Sequence, residues 1–133
     1  ESVTPEQVIG GGCGLFTGFA GVDRSRMQLG DSVLVQGAGP VGLSAAAFAA
    51  LGGASAVFMI GAPGSRLELG RRFGVDHAFH LDETTPGERR ERILELTGGR
   101  GPDVIIEAAG HASAIPEGLD LVRDGGTYVV VGH

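Results

Sequence analysis

The sequence is 133 residues long, one domain's worth of chain, and its 10 Lys+Arg against 16 Asp+Glu leave a formal net charge of −6. That sign excludes a nucleic-acid or anionic-membrane surface as the default, and Trp 0 with Tyr 1 leaves no aromatic platform for single-stranded bases. One Cys excludes an intramolecular disulfide, and 25 Gly without a triplet period exclude collagen, while 42% hydrophobic residues suit a folded core.

The chain opens on Glu1, Ser2, Val3, Thr4, Pro5 and Glu6, acidic and unlike a signal peptide. It lacks an initiator Met, which reads as a piece cut from something longer, and no run of 18 apolar residues follows to span a membrane. A reducing, cytoplasmic setting is the expectation. Residues 1–28 read as a Gly-rich helical lead-in and residues 29–133 as the folded domain. Gly10, Gly11, Gly12 and Gly14 surround Cys13, a density that costs a helix about 1 kcal/mol per glycine.

Residues 32–36 form a short β-branched run that ends in glycine, a first strand. Residues 41–51 are rich in Ala and Leu, of helical length, and are stopped by Gly52 and Gly53. Residues 56–60 are apolar without alternation, as a strand buried on both faces requires. A second helix is expected over 66–73, with Leu67, Leu69 and Phe73 as its apolar set and Gly74 as its cap, then a third strand over 77–81. Thr85, Pro86, Gly87 and Glu88 spell a capping box: the Thr hydroxyl accepts an orphan N–H, Pro presets φ, and Glu88 reaches back. That helix runs to about residue 97 with Ile93, Leu94 and Leu96 inward. Residues 103–107 and 127–131 supply the fourth and fifth strands, and the helix between them, 114–122, tolerates Pro116 only in its first turn.

Strands alternating with helices, and lacking polar alternation, predict an α/β fold: a doubly wound parallel sheet, Rossmann-like, of order 3-2-1-4-5 and ending before a sixth strand. Ligands on such sheets sit at the carboxyl ends of the strands, where the first and fourth part company.

Gly37, Ala38, Gly39, Pro40, Val41 and Gly42 match G-x-G-x-x-G between a strand and a helix, the context that gives the pattern meaning. Gly37 allows the tight turn, Gly39 lets the main chain approach a pyrophosphate, and Gly42 lets the helix sit close on the sheet. The helix N-terminus then offers free N–H groups and partial positive charge to phosphates. Nineteen residues past Gly42 stands Gly61, where a carboxylate would accept from a ribose 2′-hydroxyl and repel a 2′-phosphate. With no acid there, and with Ser65 and Arg66 following, NAD or NADP is expected, tilted toward NADP; a solvated helix charge is the plainer use of Arg66.

Three stretches together resemble the zinc-containing alcohol dehydrogenases of the medium-chain dehydrogenase/reductase family. They are Gly12-Cys13-Gly14-Leu15-Phe16-Thr17-Gly18-Phe19, the run 29–42 through the glycine motif, and Gly125-Gly126-Thr127-Tyr128-Val129-Val130-Val131-Gly132; residues 66–74 and 97–104 agree in register. The resemblance implies that Cys13 is one ligand of a catalytic zinc and that Thr17 lies near the nicotinamide as a catalytic-site residue. It implies further that Val41 backs the nicotinamide ring and that Ala108, Ala109, Gly110, Val131 and Gly132 edge that half of the dinucleotide. His111 lies just beyond the fourth strand, where an ordinary loop histidine is expected. The family's other zinc ligands belong to a domain that these residues do not include, and His77 and His80, on the third strand away from the switch point, are no substitutes.

The resemblance therefore implies an NAD(P)-binding domain of a zinc-dependent alcohol or polyol dehydrogenase, passing hydride between a small-molecule alcohol or carbonyl and the nicotinamide. The parent is expected to be a homo-oligomer that uses zinc, with no nucleic-acid or membrane partner. These residues alone are expected to bind dinucleotide weakly, hold no zinc and turn over nothing. A zinc-free quinone reductase of the same superfamily is the first alternative, against which Cys13 and the Gly39-Pro40-Val41 sequence argue. A non-catalytic nucleotide-sensing module and a methyltransferase-like domain are the others, the last opposed by the missing acid near Gly61.

Overall fold

The computed structural model describes residues 2–132. Five strands, β1 (Ser32–Gln36), β2 (Ala56–Gly61), β3 (His77–His80), β4 (Val104–Glu107) and β5 (Thr127–Val130), form one sheet in the order β3-β2-β1-β4-β5. Every neighbouring pair is parallel, as the expected order requires. Six helices accompany them: α1 (Pro5–Gly10), α2 (Cys13–Ser25), α3 (Pro40–Leu51), α4 (Gly64–Arg72), α5 (Pro86–Leu96) and α6 (Ala114–Leu121). No helix among the described residues is long and apolar enough to cross a membrane.

The strand sequences are apolar without alternation because both faces are covered. Val33, Val35, Val57, Met59, Val104 and Ile106 point into one buried cluster with Ala45, Ala46, Ala49 and Leu67. Leu34, Phe58, Ile60 and Ile105 point into the other, with Ile93 and Leu121. Each of these Val, Leu, Ile, Phe and Met side chains contributes about 1.5–3 kcal/mol on burial.

The helix ends follow their local chemistry. Thr85 caps α5, its hydroxyl accepting from the Glu88 N–H while the Glu88 carboxylate accepts from the Thr85 N–H. A second capping box, Thr4 with Gln7, opens α1 and was not anticipated. α4 begins two residues before the expected start, and only Leu67 of its expected apolar set is buried; Leu69 and Phe73 are exposed. Leu69 stands two residues from Leu67, on a different helix face.

The glycines around Cys13 have two roles. Gly11 and Gly12 separate α1 from α2, and Gly12 is the N-cap of α2. Gly14 and Gly18 lie in α2 where it meets α3: a Cβ on Gly14 would stand 3.2 Å from Pro40 Cβ, and one on Gly18 would stand 2.6 Å from Ser44 Cβ and 2.7 Å from Ala45 N. The helix propensity lost at these glycines is offset by close approach of two helix backbones. α3 is thus covered by the sheet on one side and α2 on the other, which is why it is apolar all round.

Candidate dinucleotide site

At the carboxyl ends of β1 and β4 the chain turns sharply after Gln36. Gly37 has φ +115°, and a Cβ there would lie 2.9 Å from the main chain of Ala108 and Ala109, so both conformation and space demand glycine. Gly42 is buried beneath the loop, and a Cβ on it would run into the Gly37 carbonyl oxygen. Gly39, the N-cap of α3, is the opposite case. Its backbone is extended, no side chain caps the helix, and nothing lies within 4 Å of the position a Cβ would take. The first-turn N–H groups of α3 therefore open onto free space, a place suited to an anion. Pro40 follows as the first helical residue and is exposed.

Two clefts meet here. The first, about 380 Å³, is lined by Gly37, Gly39, Gly61, Arg66, Ala108 and Ala109 among others. The second, about 270 Å³, is lined by Cys13, Thr17, Val41 and Val131, and again by Ala108 and Ala109. The two share the end of β4 as a common wall. Of the site residues expected from sequence, Pro40 and Gly42 line neither cleft; they shape the turn and the start of α3.

Gly61 has a reason that the sequence does not display. A Cβ there would stand 2.7 Å from Ala38 Cβ and 2.9 Å from Ala38 N, so the glycine loop itself fills the space a side chain would need. Cys13 is exposed at the start of α2, its Sγ 3.7 Å from Thr17 Oγ1 one helical turn on. Among the described residues no three His, Cys, Asp or Glu side chains are grouped to hold a metal ion, so a zinc ion does not fit this chain alone. His111 lines the first cleft, its Nδ1 2.8 Å from Ser113 Oγ. His77 stacks on Phe58 at 5.3 Å between centroids, and His80 Nδ1 accepts the Asp82 N–H; neither lines either cleft.

A set of buried polar residues beneath the clefts was not foreseen. Glu107 Oε1 accepts from the N–H groups of Ala109 and Gly110, both at 2.8 Å, and so fixes the shared wall. Gln36 lines the first cleft, donates from Nε2 to the Ala114 carbonyl at 2.8 Å and accepts from the Tyr128 hydroxyl at 3.0 Å. Burial first, then the negative charges of Glu107 and Glu117, pushes the Tyr128 hydroxyl up to about 12. The available signal was a polar residue closing an apolar strand, Gln36 after Val-Leu-Val and Glu107 after Val-Ile-Ile.

Residues 40–133 match the family model for zinc-binding dehydrogenases. The chain belongs to that family. It is 42% identical over 133 residues to the 5-exo-hydroxycamphor dehydrogenase of Pseudomonas putida, covering 99% of this chain and 37% of that protein. An alcohol dehydrogenase from Thermus sp. ATN1 superposes with a TM-score of 0.89 at 35% identity, over 98% of this chain and 37% of that one. A zinc-binding dehydrogenase of Sinorhizobium meliloti 1021, solved bound to NADP, matches with a TM-score of 0.77 at 26% identity, over 89% of this chain and 34% of that one. The chain spans about a third of the length of the curated family members it matches.

Proposed function

We propose that this chain is the cofactor-binding part of an NAD(P)-dependent alcohol or polyol dehydrogenase. One observation carries the reading: two clefts at the switch between β1 and β4 share Ala108 and Ala109, with the uncapped N-terminus of α3 opening beside Gly39. The adenosine half of the dinucleotide is assigned to the first cleft, the pyrophosphate to the N–H groups beyond Gly39, and the nicotinamide half to the second. When bound, the cofactor supplies a nicotinamide C4 that exchanges hydride with an alcohol or carbonyl.

The chain's own residues have separable tasks in this reading. Gly37, Gly39 and Gly42 give the main chain its approach to the phosphates. Val41 and Val131 border the nicotinamide half and exclude water there, and Thr17 borders the same cleft beside Cys13. With no acid at Gly61 and Arg66 lining the first cleft, a 2′-phosphate meets a guanidinium rather than a carboxylate, which favours NADP. Cys13 is proposed as one ligand of the parent's zinc, the others coming from the rest of that protein. The parent would act as a cytoplasmic homo-oligomer on a small-molecule alcohol or carbonyl; residues 1–28 would join the binding domain to its catalytic domain.

A calorimetric titration of the chain with NAD and with NADP, at low and moderate salt, tests the reading. NADP is expected to bind more tightly, and to weaken with salt and in Arg66→Ala. A preference for NAD would remove the roles given to Gly61 and Arg66; binding of neither would overturn the dinucleotide site.

A further inference from the structure

Glu117, in α6, is the one acidic residue among those lining the first cleft. Its side chain is 12% exposed and is held side-on by Arg89, whose side chain is 3% exposed. Arg89 Nε donates to Glu117 Oε1 at 2.6 Å and Nη2 to Oε2 at 3.0 Å. The remaining guanidinium nitrogen donates to the Leu81 carbonyl at 3.4 Å, the Thr84 carbonyl, and Thr84 Oγ1 at 3.1 Å. An ion pair buried this deeply adds little net stability over two apolar side chains, because desolvation offsets most of the attraction. What it does provide is an ionised carboxylate of fixed position at a cleft wall. Each of its oxygens has acceptor capacity left after the bond to Arg89.

The surroundings define what that carboxylate recognises. Ala62, Leu81, Ala109 and Ala114 line the same cleft and give it apolar sides. A carboxylate only accepts, so the matching ligand is a flat, apolar-faced group with an N–H donor at its edge. Within the dinucleotide that description fits the adenine base and its exocyclic amino group. The phosphates carry no donor, and the ribose stands toward Gly61 and Arg66 in the reading above.

We propose that Glu117, positioned by Arg89, accepts the exocyclic amino N–H of adenine and so selects adenine dinucleotides against their hypoxanthine counterparts. The proposal rests on the dinucleotide reading of this cleft. Replacing the amino group by a carbonyl removes the N6 donor and sets an oxygen against a desolvated carboxylate, while the N–H that hypoxanthine gains is at N1, one ring position away from the contact.

The test titrates the chain with NAD and NADP, each beside its deamino analogue, which carries hypoxanthine for adenine. The deamino forms are expected to bind roughly tenfold more weakly or worse, the value of one hydrogen bond to a charged group. In the double variant Arg89→Leu, Glu117→Leu, which leaves no orphan charge, the two forms are expected to bind within about twofold of each other. Glu117→Gln, whose amide also donates, is expected to narrow the preference. Equal binding by the unaltered chain overturns the proposal without any variant having to fold, and so does a double variant that still discriminates. If no dinucleotide binds at all, the reading of the cleft fails and Glu117's role with it, a result distinct from equal binding.

Discussion

At the scale of single residues, the glycine loop separates two demands that one motif spells alike. Gly42 answers to the protein: a Cβ there collides with the Gly37 carbonyl, so Gly42→Ala is expected to destabilise the chain by about 2–3 kcal/mol. Gly39 answers to the ligand, with nothing within 4 Å of its Cβ position, so Gly39→Ala should leave the thermal midpoint unchanged and weaken dinucleotide binding by roughly 1–3 kcal/mol. Melting curves and titrations of both variants check the pair; loss of stability in Gly39→Ala would show that the space is not there. The motif's spacing was legible because glycine has few rivals for a positive φ or a forbidden Cβ. The reason for Gly61 was not, because the atoms that exclude its side chain, the Cβ and main-chain nitrogen of Ala38, lie 23 residues away in sequence.

At the scale of elements, the amino edge of the sheet is joined by one carboxylate. Asp103 Oδ2 accepts from Ser32 N–H and Ser32 hydroxyl, both at 2.8 Å, and Oδ1 from Arg123 Nε at 2.6 Å, linking the starts of β1 and β4 to the turn before β5. Burial raises its pKa, but the Ser32 and Arg123 hydrogen bonds together outweigh it and hold the carboxyl at about 2 against an ordinary 3.8. A pKa lowered on folding stabilises the fold above the unfolded value and ceases to do so as pH falls through the folded one. Stability is therefore expected to drop by about 1–2 kcal/mol between roughly pH 4 and pH 2, and Asp103→Asn to be less stable and flatter over that range. Urea midpoints across that interval measure it; parallel curves for the two chains would rule the account out. Elements themselves were largely legible, since periodicity, capping boxes and glycine stops are local. What stayed hidden is how they are tied together, because Asp103 with Ser32, Glu117 with Arg89 and Gln36 with Tyr128 are partnerships across 71, 28 and 92 residues.

At the scale of the whole molecule, the five-strand order followed from two facts visible in the chain, strands apolar on both faces and connections long enough to cross over. The metal chemistry does not close at this scale. With Cys13 exposed and no grouped partners among the described residues, the chain is expected to keep less than stoichiometric zinc after dialysis, measured by atomic absorption. One tightly held zinc per chain would mean that donors converge on Cys13 from beyond the chain's own fold. The seam of α2 and α3 bears on this too. Gly14 and Gly18 let the two helices approach closely, with main chain against main chain at Gly18, and the Phe19 and Phe48 rings pack edge to face farther along the seam. The offset between the cysteine-bearing helix and the phosphate-facing helix is thus set at Gly18 by main-chain dimensions, like two rulers riveted edge to edge. Thermal rotamer hopping leaves that contact alone, and a single added methyl group at position 18 would reset it.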